Sequence, residues 1–342
     1  MLNKQSVLRV SSGSNIIEML QLDALTNNSA GDSMTVVQKV AFSLNGDTLY
    51  VFTRNKWNLA TLMAWDISNG MLIAEKRDLA LGGFWIVFKL VTVKAGVMLQ
   101  TSWSTLELWN FKMSECIRSW ADLGDILEVI RIAEERVACK VNSKVIILDT
   151  TMEGMVSTVT FRRYLVACNS KCHMITADDA ELRMQCGDVV LWKIPFRASC
   201  LFQCDTFSPG EQYYVLAGRS TADKETALYV LDLVARTTLH KLCSVSDWVP
   251  HYLYWKFVSD FECVANLSDE RRSYFCLRLF NVKSGDLLSE IATETKVYSL
   301  KACPRERLIA IGFEHCKGNF KVLQVKLPGD DDSRKKGKLF SD

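Results

Sequence analysis

The sequence has little of what catalytic and metal sites are usually built from. Only four histidines occur in 342 residues, and there is no Gly-rich phosphate loop, GxSxG elbow, HExxH helix or EF-hand loop. The net charge is +2, so no overall basic field points to nucleic acid as a partner. We therefore expect no catalytic residues, no cofactor and no metal, and we expect the protein not to be an enzyme.

Long apolar runs are also absent. No stretch approaches the roughly 18 apolar residues of a membrane-spanning helix, and the first residues, MLNKQSVLRVSSGS, lack the apolar core and cleavage site of a secretory signal. The twelve cysteines are spread from Cys116 to Cys316, many inside apolar strand patterns where a free thiol packs as a small hydrophobe. These features predict a reduced, cytoplasmic protein that does not contact a membrane.

One stretch, Val40 to Ile73, shows how the chain is organised. An apolar run is closed by Asn45-Gly46-Asp47, a second run and a polar loop follow, and a third run ends in Trp65-Asp66. Asn-Gly between apolar runs favours a hairpin because both residues accept a positive φ. Short strands separated by such turns predict an antiparallel meander.

This pattern, FSxxGDxLYV followed by WDxxxG, resembles a WD repeat, which supplies most of one four-stranded blade of a β-propeller. Similar third-strand ends recur at spacings of 39 to 49 residues, near the period of about 40–45 residues of WD repeats. They are Trp65-Asp66, Trp109-Asn110, Leu148-Asp149, Trp192-Lys193, Leu231-Asp232, Phe280-Asn281 and Gln324-Val325. We therefore predict an all-β, seven-bladed β-propeller of divergent WD repeats.

The two ends of the chain complement each other. Ser6 to Leu22 matches the end of a repeat with an apolar fourth strand, whereas the seventh unit stops near Leu327 without one. In the WD-repeat family the N-terminal strand commonly completes the last blade, which leaves no unpaired flank. The resemblance implies that a strand at about residues 15–22 closes a single propeller of residues 1–328. The charged tail, residues 329–342, is expected to be disordered.

The repeats also depart from the family pattern. No Gly-His dipeptide precedes a first strand and Trp-Asp is intact only once. The hydrogen-bond network that His, Ser or Thr, Asp and Trp form in standard repeats is therefore expected to be mostly missing, and apolar packing has to hold the blades. This divergence resembles the C-terminal propellers of NACHT-WD proteins, large STAND-class NTPases in which the propeller keeps the oligomerisation machinery inactive until a ligand binds.

Binding residues are expected on one rim of the ring. In WD-repeat propellers the loops between second and third strands, together with the connections between blades, form a rim that commonly binds partners. On this chain the rim carries Trp and Arg, which are enriched at binding hot spots. The candidate partner-binding residues are Arg54, Lys56, Trp57, Trp103, Arg219, Trp248, Arg271 and Arg272. The alternative for each is a Trp packed into its own blade or a solvated charge.

The resulting interpretation is a non-enzymatic protein–protein interaction scaffold, acting as a ligand-sensing or autoinhibitory propeller of a larger signalling assembly. One alternative is a hydrolase or lyase with its site at the central channel, which the scarcity of histidine and the apolar first strands oppose. Another is a nucleic-acid-binding propeller that uses Arg271-Arg272 and the basic stretch from Arg334 to Lys338.

Zinc is the metal whose binding the sequence allows. Cys168-x3-Cys172 and Cys200-x3-Cys204 could together supply four sulfur ligands. Their expected positions, at a strand end, in a turn and within another strand, do not obviously converge. Free thiols are the expected state.

Overall fold

The computed structural model describes residues 16–23, 36–54, 59–79, 89–142, 144–152, 155–160, 164–171, 173–177, 181–186, 189–196, 207–218, 227–244, 253–269, 274–293, 295–313 and 319–326. Within these ranges the regular structure consists of antiparallel strands arranged in seven sheets, which are the seven predicted blades. No helix in the described ranges is long and apolar enough to cross a bilayer.

The strands follow one another in chain order, beginning with β1 (Ile16–Asp23). Blade one contains β2 (Val36–Phe42), β3 (Thr48–Arg54), β4 (Ala60–Asp66) and β5 (Leu72–Leu79). Blade two contains β6 (Leu90–Val93), β7 (Gly96–Gln100), β8 (Leu106–Trp109) and β9 (Cys116–Trp120). Blade three contains β10 (Ile126–Ala133), β11 (Arg136–Val141), β12 (Lys144–Asp149) and β13 (Met155–Thr160).

The remaining blades repeat this order. Blade four contains β14 (Tyr164–Cys168), β15 (Met174–Ala177), β16 (Glu181–Cys186) and β17 (Val189–Pro195). Blade five contains β18 (Tyr213–Gly218), β19 (Ala227–Asp232) and β20 (Thr237–Ser244). Blade six contains β21 (Trp255–Phe257), β22 (Glu262–Asp269), β23 (Tyr274–Asn281) and β24 (Leu287–Thr293). Blade seven contains β25 (Val297–Cys303), β26 (Leu308–Phe313), β27 (Asn319–Val325) and, as its fourth strand, β1.

The N-terminal strand closes the ring as predicted, one residue later than expected. Ile16 pairs with Val325 and Asp23 pairs with Asn319 in an antiparallel ladder. Blades one and seven also share a core, in which the Trp65 and Phe320 rings meet edge to face with centroids 6.0 Å apart. The extent of the domain as residues 1–328 and the disorder of the tail stay predictions, because residues 1–15 and 327–342 lie outside the described ranges.

One assignment from the sequence is wrong. Trp192-Lys193, taken as the end of the third strand of unit four, lies on the fourth strand β17. The third strand is β16, which precedes the residues that the sequence suggested. The apolar run Val189 to Leu191 looked like a buried third strand, yet these three side chains are exposed on the outer strand. In blade five, residues 197–206 lie outside the described ranges, and Phe207 forms a bridge to Tyr214.

Apolar packing between blades holds the ring together. The second strands β7, β18 and β26 are buried along their whole length, because each blade is covered on both faces by its neighbours. Their side chains belong to apolar clusters that cross from one blade to the next. Gly312 shows how close this contact is, since a Cβ there would lie 2.7 Å from Cγ1 of Val37 in the neighbouring blade.

The hydrogen-bond network of standard repeats is missing where it was most expected. Trp65 belongs to the one intact Trp-Asp pair, and its indole Nε1 is buried without a hydrogen-bond partner in the described structure. Polar contacts between blades are made by other residues. The Trp255 indole donates to the carbonyl of Val215 at 2.8 Å, and Arg307 holds Glu262 through two bonds of 2.5 and 3.0 Å. In this ring, polar contacts between blades therefore come from residues outside the standard repeat network.

Candidate binding faces and the central channel

The ring has two faces with different chain segments. The connection face carries the loops between second and third strands and the connections between blades, such as residues 101–105 and 121–125 of blade two. The turn face carries the turns between first and second strands and between third and fourth strands, such as residues 94–95 and 110–115. This division follows from the meander, because the first and third strands run toward the turn face and the second and fourth strands run back.

The structure describes two of the predicted partner-binding residues. Arg54 ends β3, pairs with Ala60 in the ladder and is partly buried. Trp103 lies in the loop between β7 and β8 on the connection face, with 47% of its surface exposed. The other six candidates, all on the predicted rim, lie outside the described residues: Lys56, Trp57, Arg219, Trp248, Arg271 and Arg272.

The loop that carries Trp103 is fixed by its backbone. The amide of Ile126 donates to the carbonyl of Trp103 at 2.8 Å, and the amide of Leu123 donates to the carbonyl of Ser104 at 3.1 Å. The Gln100 side chain donates to the carbonyl of Ser102 at 3.0 Å. Loop and inter-blade connection therefore form one surface, as the sequence predicts for the rim. The indole stands on this surface as an exposed aromatic side chain with a fixed base.

The turn face carries exposed apolar side chains that the sequence reasoning missed. They occupy or adjoin the turns between third and fourth strands of five blades: Met71, Phe111, Met152, Val234 and Leu287. Met71 is followed by the exposed Leu72 and Ile73 of β5, whereas the other four are scattered, as exposed apolar residues ordinarily are on protein surfaces. None of them stands out in the sequence, because apolar residues are frequent along the whole chain.

The central channel widens into a chamber at the turn face. The chamber has a volume of about 710 Å³ and is lined by the first strands and first turns of all seven blades. Among the described residues, five basic side chains line it: Arg131, Lys171, Lys256, Lys301 and Arg305. The acidic side chains in this described lining are Glu134 and Glu211. The Glu211 carboxylate accepts from the amide of Ser170 at 2.7 Å, so the turn of blade four already holds it.

A smaller cavity lies next to the chamber. Its volume is about 40 Å³, and it is lined by four lysines, Lys39, Lys89, Lys256 and Lys301, with Glu128 as the acidic side chain among its described residues. Leu90, Lys256 and Lys301 line both spaces, so the small cavity adjoins the chamber. Across the two, the described lining residues include seven basic and three acidic side chains.

A β-bulge aims Lys39 at the small cavity. Val37 pairs with Thr53 and Lys39 with Phe52, so Gln38 is the extra residue in β2. The bulge reverses the alternation of the strand, because Val37 and Val40 both enter the core shared with blade seven. Lys39 is thereby left on the other side of β2, and its ammonium lies 6.0 Å from the centre of the Tyr254 ring.

The surroundings of Lys39 disfavour its charge. Burial lowers the pKa of Lys39 from its ordinary value of 10.5 to about 7, and the positive charges of Lys89, Lys301 and Lys256 act in the same direction. Glu128 opposes them. Near neutral pH the amine is therefore partly unprotonated and can gain a proton when an anion arrives.

The sequence predicted apolar first strands, and this prediction is wrong. Four first strands or their approaches carry a lysine: QKVAF, FKLV, YWKFV and SLKAC. Each lysine alone looks like a solvated charge on a strand, and their convergence depends on closing the ring. Counting the charges of corresponding first strands would have found the cluster.

No cluster of three or more His, Cys, Asp or Glu side chains suited to a metal ion occurs in the described part of the chain. Of the four cysteines of the zinc reading, Cys168 is buried and the other three lie outside the described ranges. Burial raises the pKa of the Cys139 and Cys263 thiols, as expected for inert core thiols. Cys116 and Cys186 differ from the expectation of buried thiols, since both are exposed.

Comparison with known proteins identifies the fold. No protein-family model and no curated protein sequence matches the chain. Among solved structures, the chain is similar to the WD40 domain of Neurospora crassa Pan2, with a TM-score of 0.64 and 8% identity over 94% of this chain and 98% of that one. It is one of 910 matching chains. The match confirms that the seven-bladed propeller has the WD40 fold.

Proposed function

We propose that the protein is a non-enzymatic protein–protein interaction scaffold that binds its partner on the connection face. Trp103 is the observation that carries this proposal. Its indole is exposed, while two backbone hydrogen bonds from the neighbouring connection fix its loop. A large aromatic side chain on a loop whose backbone is already held in place adds contact area at a small cost in loop entropy, and Trp is frequent among binding hot spots.

Loss of the indole tests the proposal. The chain is used as bait in its source cells in three forms: wild type, Trp103→Ala and Phe111→Ala. Phe111 is the matched control, because it is an exposed aromatic residue of the same blade on the turn face. We expect Trp103→Ala to weaken the affinity for the recovered partner about tenfold or more. We expect Phe111→Ala to bind as the wild type does.

Stability has to be measured beside binding. An exposed residue contributes little to folding, so both variants should unfold within about 0.5 kcal/mol of the wild type. A large loss of stability in Trp103→Ala would show that the indole belongs to the core and would contradict the proposal. Weakened binding in Phe111→Ala alone would move the interface to the turn face and its exposed apolar residues.

We further propose that the scaffold works inside a larger signalling assembly, where a bound ligand relieves its restraint. The resemblance to NACHT-WD propellers supports this role. The mass of the native protein in its source cells tests it, with an antibody against the segment 268–273. A band well above the 38.7 kDa of this chain is the expected result. A band at 38.7 kDa would indicate a stand-alone adaptor.

A further inference from the structure

The lining of the channel concentrates positive charge. The small cavity brings Lys39, Lys89, Lys256 and Lys301 together, with Glu128 as the acidic side chain among its described residues. Like charges at this density repel one another, and burial adds a desolvation penalty for each ammonium. A bound anion would relieve both effects at once. The net charge of the chain, +2, hides this concentration because the rest of the surface is nearly balanced.

The shape of the channel restricts the anion. The chamber volume of about 710 Å³ falls within the usual range of about 300–1,000 Å³ for small-molecule sites. The adjoining cavity of about 40 Å³ leaves room for a single small group. A compact molecule with several anionic groups fits this combination, since one group can enter the small cavity and the others can stay in the chamber.

The residue types favour phosphate. Lysine binds phosphate as a point charge, and arginine adds a planar fork of donors. Lysines surround the small cavity, whereas Arg131 and Arg305 occur in the chamber. Arg131 also donates to the carbonyl of Thr92 at 3.4 Å, which holds its guanidinium beside the first strand of blade two. Among the described lining residues basic side chains outnumber acidic ones, which suits a ligand with several negative charges better than a single carboxylate or sulfate.

We propose that the central channel binds a small polyphosphate anion, with one phosphate among Lys39, Lys89, Lys256 and Lys301 and the remaining phosphates in the chamber near Arg131 and Arg305. The chamber lies at the turn face, whereas Trp103 lies on the connection face. Trp103 lines neither cavity, so a variant that tests one site does not remove a side chain of the other.

Binding should be measured by calorimetry on the full chain with two probes, inorganic tripolyphosphate and inositol hexakisphosphate. Sulfate at matched ionic strength is the control anion. We expect one molecule of probe per chain, with much weaker binding of sulfate. Binding of both probes would assign the site to polyphosphates in general, and binding of the inositol compound alone would assign it to inositol phosphates. Failure of both probes to bind, or equal competition by sulfate, would overturn the proposal.

Two variants locate the site. Lys39→Met and Lys301→Met should each weaken binding about tenfold, the loss expected for one charged hydrogen bond. Lys112→Met is the matched control, because Lys112 is exposed in a turn of blade two and lines neither cavity. Equal affinity of all three variants and the wild type would show that the anion binds elsewhere on the surface.

Proton uptake gives an independent readout. The charges that face Lys39 from other blades are Lys89, Lys256, Lys301 and Glu128. A bound phosphate raises the pKa of Lys39 above its value of about 7 in the ligand-free protein. At a pH between these two pKa values, binding is therefore accompanied by proton uptake. Calorimetry at pH 7.5 in buffers of different ionisation enthalpy should detect this uptake in the wild type. The uptake should fall sharply in Lys39→Met, and unchanged uptake would contradict the placement of a phosphate beside Lys39.

Discussion

Replacement of Lys39 by Met should make the protein more stable at pH 6. Met has nearly the same length and no charge, so it can lie beside the Tyr254 ring without a desolvation penalty. The pKa of Lys39 falls from 10.5 in the unfolded chain to about 7 in the folded one. This difference corresponds to about 5 kcal/mol, at about 1.4 kcal/mol for each pH unit. Because the ammonium faces a cavity with room for water, we expect a measurable gain of about 2 kcal/mol.

The stability gained by Lys39→Met should decrease as the pH rises. Below pH 7 both the folded and the unfolded chain hold the proton on Lys39, and the folded chain bears the full penalty. Between about pH 7 and 10.5 the folded chain releases the proton while the unfolded chain keeps it, so the wild type gains stability with rising pH. The difference in unfolding free energy between Lys39→Met and the wild type should therefore be largest at pH 6 and clearly smaller at pH 9.

Urea denaturation at pH 6, 7.5 and 9 measures this difference, with Lys112→Met as the control for removing an exposed lysine. The control should stay within about 0.5 kcal/mol of the wild type at each pH. The reasoning would be refuted if Lys39→Met were no more stable than the wild type at pH 6. It would also be refuted if the difference did not change with pH, because the Lys39 charge would then be fully solvated.

Two further changes test how the ring is held together. Arg307→Ala should lower the free energy of unfolding by about 3 kcal/mol, because it leaves the Glu262 carboxylate, whose side chain is only 13% exposed, without its charged partner. Deletion of residues 1–22 should give a protein that aggregates on size-exclusion chromatography, because it removes nearly all of β1 and exposes the edge of β27.

Arg307→Ala is compared with a control variant, and the deletion is compared with the intact chain. The exposed pair of Lys94 and Glu135, 2.9 Å apart, joins blades two and three at the surface, and Lys94→Ala should change stability by less than about 1 kcal/mol. A loss in Arg307→Ala no larger than that would show that the Glu262 pair contributes little. For the deletion, a soluble monomer that melts as the intact chain does would show that ring closure does not depend on β1.

The fold could be predicted from the sequence because its signals are local and repeated. Turn residues such as Asn45-Gly46 separate short apolar runs, and the regular spacing of the repeats identifies the blades even where the Trp-Asp pair is absent. The misplaced third strand of blade four has a physical reason as well. Val189 to Leu191 are apolar although they face solvent, so composition alone could not distinguish the outer strand from a buried one.

The candidate sites were less predictable, because they depend on which strands meet at the axis. Trp103 was found since a Trp in a polar loop is conspicuous within a single repeat. Lys39 and Lys301 are more than 250 residues apart in the chain, and they face one cavity because β1 joins the last blade. The bulge at Gln38 adds a second difficulty, since strict alternation would place Lys39 on the same side of β2 as Val37.

The closing strand pair also determines how the ring responds to tension. Ile16 lies opposite Val325, so the chain enters and leaves blade seven at the same end of the ladder, on the turn face. A pull between the residues just before Ile16 and just after Val325 therefore separates the pairs one after another from that end. It does not load all of them together, as a pull along the strands would. We therefore expect the ring to open at this strand pair under a lower force than it would withstand if all the pairs were loaded together.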